Sequence, residues 1–458
     1  MRKEKDSMGE MQVPDDALYG ASTQRAVLNF PISGNGLPKW FIKVLGAIKV
    51  AAVEANLSLR LIDNQIGDAV RKAAFEIWEG KFFEQFVVDV FQTGSGTSTN
   101  MNANEVIANR ANTFLSDGTT RIHPNDHVNM CQSSNDVIPT AISIASVMRV
   151  KSALMPALEE MERVLLDKAH QFSEVIKSGR THLQDATPVT LGQEFGGYAF
   201  QVSLARKRIE AAVEELCSLT LGGTAVGTGI NTHPAFADLA IENLSRITGV
   251  QFRRTENHFA LQGGQEGAVA LSGTLRALAC ALMKIANDIR WMSSGPRCGF
   301  GELKIPAVQP GSSIMPAKVN PVIAESLLMV CAQVMGNDAC IMVAGQHGNF
   351  ELNVMLPVIA RNLLESIELL SASAKNFTHK CLEGLEADLK QCLEYAQNSL
   401  SICTSLVPHI GYDRAAQVSK LATQENLSVR EAAKKMGLLS SEELDKVLDL
   451  FAMIRPGL

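Results

Sequence analysis

The sequence predicts a mainly α-helical protein with a long central helix bundle. Apolar residues recur at three- and four-residue spacing in seven windows, the period expected of helices with a buried face. Strand-like alternation is scarce and short. Several windows exceed about twenty residues, well above the usual globular helix, and such lengths favour helices packed side by side. The windows are residues 40–61, 68–78, 142–172, 191–219, 267–292, 322–343 and 356–377.

These windows divide the chain into three predicted domains. Residues 1–135 form a mixed N-terminal domain, residues 136–394 hold the helix bundle, and residues 395–458 form a small C-terminal domain of shorter helices. A helix with several apolar faces, such as 267–292, is not covered completely by a bundle of five or so helices. The sequence therefore predicts a homo-oligomer on physical grounds.

Composition excludes several classes of protein. The 458 residues are 46% hydrophobic and 20% charged, with a net charge of -6 and no long run of one sign. Such a chain is soluble and globular and lacks the basic surface of a nucleic-acid-binding protein. The nine cysteines show no C-x-x-C or histidine-paired spacing. They predict reduced thiols and neither a metal site nor a disulfide framework.

The sequence also predicts a cytoplasmic protein without a membrane span. Polar and charged residues interrupt the long apolar windows before about 20 apolar residues are reached. The first six residues carry both signs of charge and lead directly into patterned sequence. Because that pattern differs from a secretory or transit peptide, we expect neither at the N-terminus.

Residues 311–321 are the most informative segment for chemistry. Glycine and two serines precede Lys318, and Asn320 followed by Pro321 is typical of a helix cap and first helical position. Glu325 then lies one turn inside the predicted helix. The unpaired N–H groups of a helix start and the nearby ammonium both favour an anion. The alternative interpretation is a surface loop with an ordinary cap.

Three further segments combine hydrogen-bond donors with a helix start, namely 93–105, 123–136 and 179–194. In the last of these, Thr187 and Pro188 are predicted to cap a helix, with His182 just ahead of it. Each segment alone is explained by helix capping, and none contains a phosphate-binding or dinucleotide-binding glycine motif. Four such segments at the ends of packed helices predict a pocket that binds a small dicarboxylate. No carboxylate pair of glycosidase type, H-E-x-x-H or G-x-S-x-G motif competes with this assignment.

The order of residues in 311–321 resembles the signature loop of the fumarase/aspartase superfamily, whose members reversibly eliminate fumarate from succinyl-containing substrates. The resemblance covers nearly the whole chain from Met8 and is closest to the class II fumarases. His182 stands where many aspartases have glutamine, and Gln24 is similar to the fumarase form. Segments 221–233 and 350–354 also resemble the fumarase forms. Ala317 favours the rival, because aspartate ammonia-lyases often share alanine there and fumarases more often carry glycine.

The resemblance implies a fumarase/aspartase-like fold, a homotetramer with shared active sites, and the reversible anti addition of water to fumarate. Ser312 is implied as the base, Lys318 and Asn320 as stabilisers of the aci-carboxylate intermediate, and His182 paired with Glu325 as the holder of the water. No metal and no organic cofactor are implied. The residues implied to bind the substrate carboxylates are Ser95, Thr97, Ser133, Ser134, Asn135 and Thr181.

A secondary dicarboxylate site is also implied, at His123, Asn125 and Asp126, although the spacing of Arg121 from His123 departs from the family pattern. Two rival functions are an aspartate ammonia-lyase and a non-enzymatic structural protein like the lens proteins of this superfamily. The structural role would need a damaged site, whereas every expected catalytic residue is present. Histidines without a catalytic motif are expected to be structural: 127, 170, 258, 347, 379 and 409.

Overall fold

A computed structural model describes residues 1–115 and 121–457 and confirms a mainly helical protein. The helices are α1 Ala21–Asn29, α2 Lys39–Ser58, α3 Asn64–Trp78, α4 Thr97–Asn112, α5 Ser134–Arg149, α6 Met155–Gln171, α7 Leu191–Leu216, α8 Phe236–Thr248, α9 His258–Gly263, α10 Glu266–Met292, α11 Val322–Gly345, α12 Leu356–Phe377, α13 Leu389–Asn398, α14 Val407–Ile410, α15 Tyr412–Glu425, α16 Val429–Lys435, α17 Ser441–Val447 and α18 Leu450–Met453.

The strands are short and pair in twos. They are β1 Arg2–Asp6, β2 Gly9–Val13, β3 Ile176–Thr181, β4 Gln184–Thr190, β5 Ser218–Leu219, β6 Arg253–Arg254, β7 Leu303–Lys304, β8 Gly348–Asn349, β9 Leu352–Asn353 and β10 Glu386–Ala387. The pairs β1–β2, β3–β4, β7–β10 and β8–β9 are antiparallel, and β5–β6 is parallel.

Hydrophobic periodicity located the long helices well. The windows 267–292 and 356–377 agree with α10 and α12 to within one residue at each end. The window 142–172 covers the second half of α5 and all of α6, and a π-helical turn at Val150–Leu154 separates the two helices. The helix predicted at 68–78 begins earlier, at Asn64. Asp63 caps it by accepting the N–H of Gln65 at 2.8 Å.

The chain forms two compact units. The first comprises Met1–Pro156, Ala205–Ala279 and Cys331–Ser371, and the second comprises Ala157–Leu204, Cys280–Val330 and Ala372–Leu458. Helices α6, α7, α10, α11 and α12 each contribute residues to both units. The three-domain division at residues 135 and 394 stays a prediction.

In the first unit, α2 is buried along most of its length and packs against α3, α5 and α8. Phe41, Leu45 and Ile48 are fully buried on it. A Cβ atom at Gly46 would lie 2.6 Å from the backbone nitrogen of Trp78, so glycine is what allows α2 and α3 to approach this closely. Helix α2 also contacts α4, so α4 and α5, which begin at predicted site residues, both pack against it.

In the second unit, the hairpin β3–β4 precedes α7. The prediction that Thr187 and Pro188 cap a helix is wrong, because both residues lie inside β4. Proline is tolerated there since a two-stranded ribbon has only edge strands. The cap of α7 is Thr190, whose Oγ1 accepts the N–H of Gln193 at 3.0 Å while the Gln193 side chain accepts the Thr190 N–H at 3.0 Å.

The short C-terminal helices have a hydrophobic core of their own. Ile402, Leu406, Val418 and Leu444 are among its buried residues. This core confirms the expected small helical C-terminal part.

Three helical stretches, Ser134–Gln171, Glu266–Met292 and Val322–Gly345, are long and apolar enough to cross a membrane by length and composition. By this measure the polar residues within these helices do not exclude a membrane span, so the absence of a span stays a prediction.

Candidate active site

Three hydroxyl groups of the predicted substrate-binding set meet in the first unit. Ser95 Oγ lies 2.7 Å from Thr97 Oγ1, which lies 2.7 Å from Ser134 Oγ. Thr97 is the first residue of α4 and Ser134 the first residue of α5. Two helix starts, each with partial positive charge, thus meet at one hydroxyl cluster. This arrangement suits a carboxylate.

The start of α5 is held by a buried carboxylate, Asp136. Its Oδ1 accepts the N–H of Ser133 at 2.9 Å, and its Oδ2 accepts the N–H groups of Gly222 and Thr224, both at 2.9 Å. Burial raises the pKa of Asp136 to about 6, against the opposing effect of these backbone donors and of Lys49. Asp136 therefore ties the loop around Gly222 to the helix that begins at Ser134.

The same loop contacts the site through Asn135. Its Nδ2 donates to the carbonyl oxygen of Ala225 at 2.9 Å, and its N–H donates to Ser133 Oγ at 3.2 Å. Ser133 and Asn135 therefore hold the start of α5, and both adjoin the hydroxyl cluster through Ser134. The sequence pattern of serine followed three residues later by aspartate was a signal for this capping box.

Sequence analysis missed Lys49, a fully buried lysine of α2. Its Nζ donates to Asn129 Oδ1 at 2.9 Å, and the Asn100 amide donates to the same oxygen at 3.1 Å. Burial lowers the pKa of Lys49 to about 7, against the opposing effect of Asp136. The signal was its spacing, since Lys49 shares the buried face of α2 with Leu45 and Ile48.

In the second unit, residues 311–321 form a closed loop before α11. The N–H of Gly311 donates to the carbonyl oxygen of Lys318 at 2.9 Å, and Asn320 Nδ2 donates to that of Gly311 at 2.6 Å. A Cβ atom at Gly311 would lie 2.1 Å from the Lys318 oxygen, so this closure requires glycine. Asn320 was predicted to cap a helix that begins at Pro321, but α11 begins at Val322, and the contact of the Asn320 side-chain amide is the one that closes the loop.

Within this loop, the Ser312 hydroxyl oxygen faces two backbone donors. It accepts the N–H of Ile314 at 3.3 Å and that of Met315 at 3.0 Å. Donors of this kind stabilise a negatively charged oxygen more than a neutral one. These two bonds orient the Ser312 oxygen within the loop.

His182 lies at the tip of the hairpin β3–β4. Thr181 pairs with Gln184, which leaves His182 and Leu183 as a two-residue turn with φ of 57° and 58°. Left-handed values at both positions are those of a type I′ turn, in which asparagine and glycine predominate. Each larger residue there costs about 1–2 kcal/mol, and such strain is typical of functional sites.

The expected pairing of His182 with Glu325 does not occur within one chain. His182, Lys318 and Glu325 are all exposed. Within residues 1–115 and 121–457, their side chains make no hydrogen bond or ion pair. Thr181, beside His182, is exposed as well. These groups are available to a substrate or to a second copy of the chain.

The chain matches two family models, a lyase family over residues 9–336 and the C-terminus of fumarase C over residues 402–455. It is 49% identical to the class II fumarate hydratase of Thermosynechococcus vestitus, with 99% of this chain and 98% of that protein covered. It is 48% identical to a mitochondrial fumarate hydratase of Rhizopus oryzae, with 97% and 91% covered. The chain belongs to the class II fumarate hydratase family.

A solved structure agrees with this assignment. The class II fumarase of Schistosoma mansoni superposes with a TM-score of 0.96 at 40% identity, covering 99% of this chain and 98% of that one. The fold class predicted from the sequence is thereby confirmed as that of the fumarate hydratase family.

The implied secondary site of this fumarate hydratase family member lies in the first unit. His123 caps the π-helical turn Pro124–Val128, and its Nδ1 accepts the N–H groups of Asn125 at 3.3 Å and Asp126 at 3.2 Å. His123 and Arg121 also line a cavity of about 360 Å³. The three residues of the implied site are thus brought together in one turn.

His379 lies between two carboxylates of the second unit. Its Nε2 is 3.4 Å from Glu160 and its Nδ1 is 3.2 Å from Glu383. Each ring nitrogen of His379 therefore has a carboxylate of the same unit nearby. The arrangement agrees with the structural role expected of His379.

Ala317, the residue that favoured the aspartase alternative, has a φ of 66°. This left-handed conformation costs alanine about 1–2 kcal/mol and costs glycine almost nothing. The glycine that fumarases more often carry at this position therefore has a backbone explanation. The identity of residue 317 therefore affects the backbone strain of the loop.

We expect Ala317→Gly to stabilise the folded protein by about 0.5–1 kcal/mol, since relief of strain exceeds the greater entropy of glycine in the unfolded chain. The midpoint of urea unfolding at fixed protein concentration measures the change. The control is Ala416→Gly at an exposed position of α15, where the same substitution costs about 1 kcal/mol. A fall in both midpoints would contradict the strain argument.

Proposed function

We propose that this protein is a fumarate hydratase, which adds water reversibly and anti to fumarate to give (S)-malate. The observation that carries the proposal is full-length identity of 49% and 48% to proteins named fumarate hydratases. The hydroxyl cluster at the starts of α4 and α5 supports a dicarboxylate substrate. We propose that Ser95, Thr97, Ser133, Ser134, Asn135 and Thr181 bind its carboxylates.

Seen from malate, the difficult step is removal of a weakly acidic C–H proton beside a carboxylate. We propose Ser312 as the base, and the two N–H donors on its oxygen favour the alkoxide that the role requires. Negative charge then develops on the neighbouring carboxylate as the aci-carboxylate forms. The Lys318 ammonium, the Asn320 amide and the start of α11 are suited to stabilise it.

Departure of the hydroxyl group as water needs a proton donor. An imidazole is suited to this role because its pKa lies near neutrality. We propose that His182 holds the water and that Glu325 orients the imidazole. Each step is thereby assigned to a side chain, so the proposed reaction uses neither a metal nor an organic cofactor.

We propose that the protein is a homotetramer in which different copies complete each active site. Helix α11 supports this, because its exposed residues recur at three- and four-residue spacing and are mostly apolar, as Met329, Ala332, Gly336 and Val343 illustrate. A stripe of this kind needs a partner surface. A second copy would also let His182 meet Glu325.

We further propose a cytoplasmic location and a role in the tricarboxylic acid cycle, where fumarate and malate are interconverted. The secondary dicarboxylate site at His123, Asn125 and Asp126 is a proposal on the same footing. Of its three residues, His123 lines the cavity that supports this proposal.

The function is tested by following the ultraviolet absorbance of fumarate with purified protein and no added metal. We expect fumarate to form from L-malate and not from L-aspartate. Formation from aspartate would establish an ammonia-lyase and make Ala317 a better guide than His182. Silence with both substrates would favour the structural role.

For Ser312→Ala we expect kcat to fall by about 10²–10⁴-fold, because the variant lacks the proposed base. Light scattering should find the tetramer intact. The matched control is Ser313→Ala at the next residue, which should keep more than half of the activity. Near-normal turnover of Ser312→Ala would remove Ser312 from the role of base.

For His182→Asn we expect kcat to fall by about 10²-fold with KM changed less than about threefold, because His182 is proposed to contact the water and not the carboxylates. The control is His409→Asn in the C-terminal part, which should be unaffected. A change confined to KM would instead assign His182 to substrate binding.

A further inference from the structure

The strand that leads to His182 is anchored by a buried ion pair. Arg180, two residues before His182, donates to Glu302 through Nη1 to Oε2 at 2.8 Å and through Nη2 to Oε1 at 2.9 Å. The Glu302 side chain is fully buried, and that of Arg180 is 13% exposed. Phe300 stacks on the guanidinium, with its ring centre 4.3 Å away. A planar, bidentate and stacked contact fixes direction as well as distance.

A second buried cation completes this charge cluster. Lys177, also on β3 and only 2% exposed, donates to Glu194 Oε1 at 3.0 Å and to the carbonyl oxygen of Ser178 at 2.9 Å. Its Nζ lies 3.8 Å from Glu302 Oε2. Two cations of one strand therefore face two carboxylates from other elements. Removal of one member would leave an uncompensated buried charge.

The end of the hairpin has little support of its own. The pairing register shifts between Ser178 and Arg180, so the ladder is interrupted at Gly179. A Cβ atom at Gly179 would lie 2.6 Å from the carbonyl oxygen of Thr187. Beyond this bulge only two residue pairs remain before the strained turn at His182. Bulges of this kind redirect a strand, so the direction of the tip depends on contacts outside the ladder.

Glu302 is itself held firmly by backbone contacts. Its N–H donates to the carbonyl oxygen of Met292 at 2.8 Å, and its own carbonyl accepts the N–H of Asp388 at 2.8 Å. Glu302 also stands ten residues before Ser312 in the chain. The residue that anchors the His182 hairpin thus begins the segment that leads to the Ser312 loop.

We propose that Arg180 and Glu302 are positioning residues for His182, whose ion pair holds the hairpin tip in the direction that catalysis requires. The inference rests on the catalytic role proposed for His182. Neither residue needs to contact the substrate. A shift of about 1 Å in a catalytic group is enough to cost about 10²-fold in rate.

A double-mutant cycle tests the proposal. We expect Glu302→Gln to lower kcat for fumarate hydration by about 30–100-fold, with KM changed less than about threefold. In the His182→Asn background, the same substitution should lower kcat less than about threefold, because a displaced His182 and a missing one are equivalent. A purely structural role would lower kcat by the same factor in both backgrounds, and that result would overturn the proposal.

Arg180→Lys replaces Glu302→Gln in the double-mutant cycle if the Glu302→Gln protein does not assemble. It keeps the charge and loses the bidentate fork, so the same background dependence is expected at smaller amplitude. The matched control is Glu76→Gln, which breaks the bidentate pair that Arg110 forms in the first unit at 2.6 and 2.8 Å. It should leave kcat within about twofold.

The outcomes distinguish the positioning role of Arg180 and Glu302 from the catalytic role of His182. A large loss in His182→Asn with no loss in Glu302→Gln and Arg180→Lys overturns the positioning role alone. No loss in His182→Asn overturns the catalytic role of His182 and the inference with it.

Discussion

The hydroxyl cluster depends on Asp136, because one buried carboxylate satisfies three backbone N–H groups that would otherwise lie unpaired in the protein interior. Those N–H groups belong to Ser133, Gly222 and Thr224. An unpaired buried donor costs about 1–3 kcal/mol. Without the carboxylate, the cap of α5 and the loop around Gly222 would both lose their support. Because the start of α5 is fixed in this way, Ser134 Oγ stays 2.7 Å from Thr97 Oγ1.

Strain marks the two loops of the second unit that carry the proposed chemistry. His182, Leu183 and Ala317 all have left-handed backbones without being glycine. A strained backbone conformation of this kind persists only where the surrounding contacts hold it in place. For Ala317 these contacts are the closure of Gly311 onto Lys318 and Asn320, and for His182 they include the Arg180 and Glu302 pair. Both loops are therefore held in place before substrate arrives, which is what electrostatic stabilisation requires.

Sequence patterns predicted the elements whose cause is local. Helices α10 and α12 follow from their apolar period. The start of α5 was placed too late, at residue 142, although its serine and aspartate cap was a local signal. The prediction of a helix cap at Thr187 and Pro188 was wrong because a cap signal spans only a few residues. Nothing in the local sequence shows that residues 184–190 pair with β3. Lys49 and Glu302 were missed for a related reason. Periodicity places Lys49 on the buried face of α2, but it does not encode partners distant in sequence, such as Asn129 for Lys49 and Arg180 for Glu302.

The same distinction applies to the proposed catalytic set. Ser95, Thr97 and Ser134 meet within one unit, and motif order was enough to select them. His182, Lys318 and Glu325 were selected by the same means but remain exposed in the chain. An exposed ion loses little by being unpaired, because water solvates it and weakens its interaction with other charges. If a second copy covered these groups, water would be excluded and the local dielectric constant would fall. Interactions between charges there would then be several times stronger. The apolar stripe of α11 begins one turn after Glu325, so burial of that stripe against another subunit would desolvate this carboxylate at the place where the proposed reaction needs it.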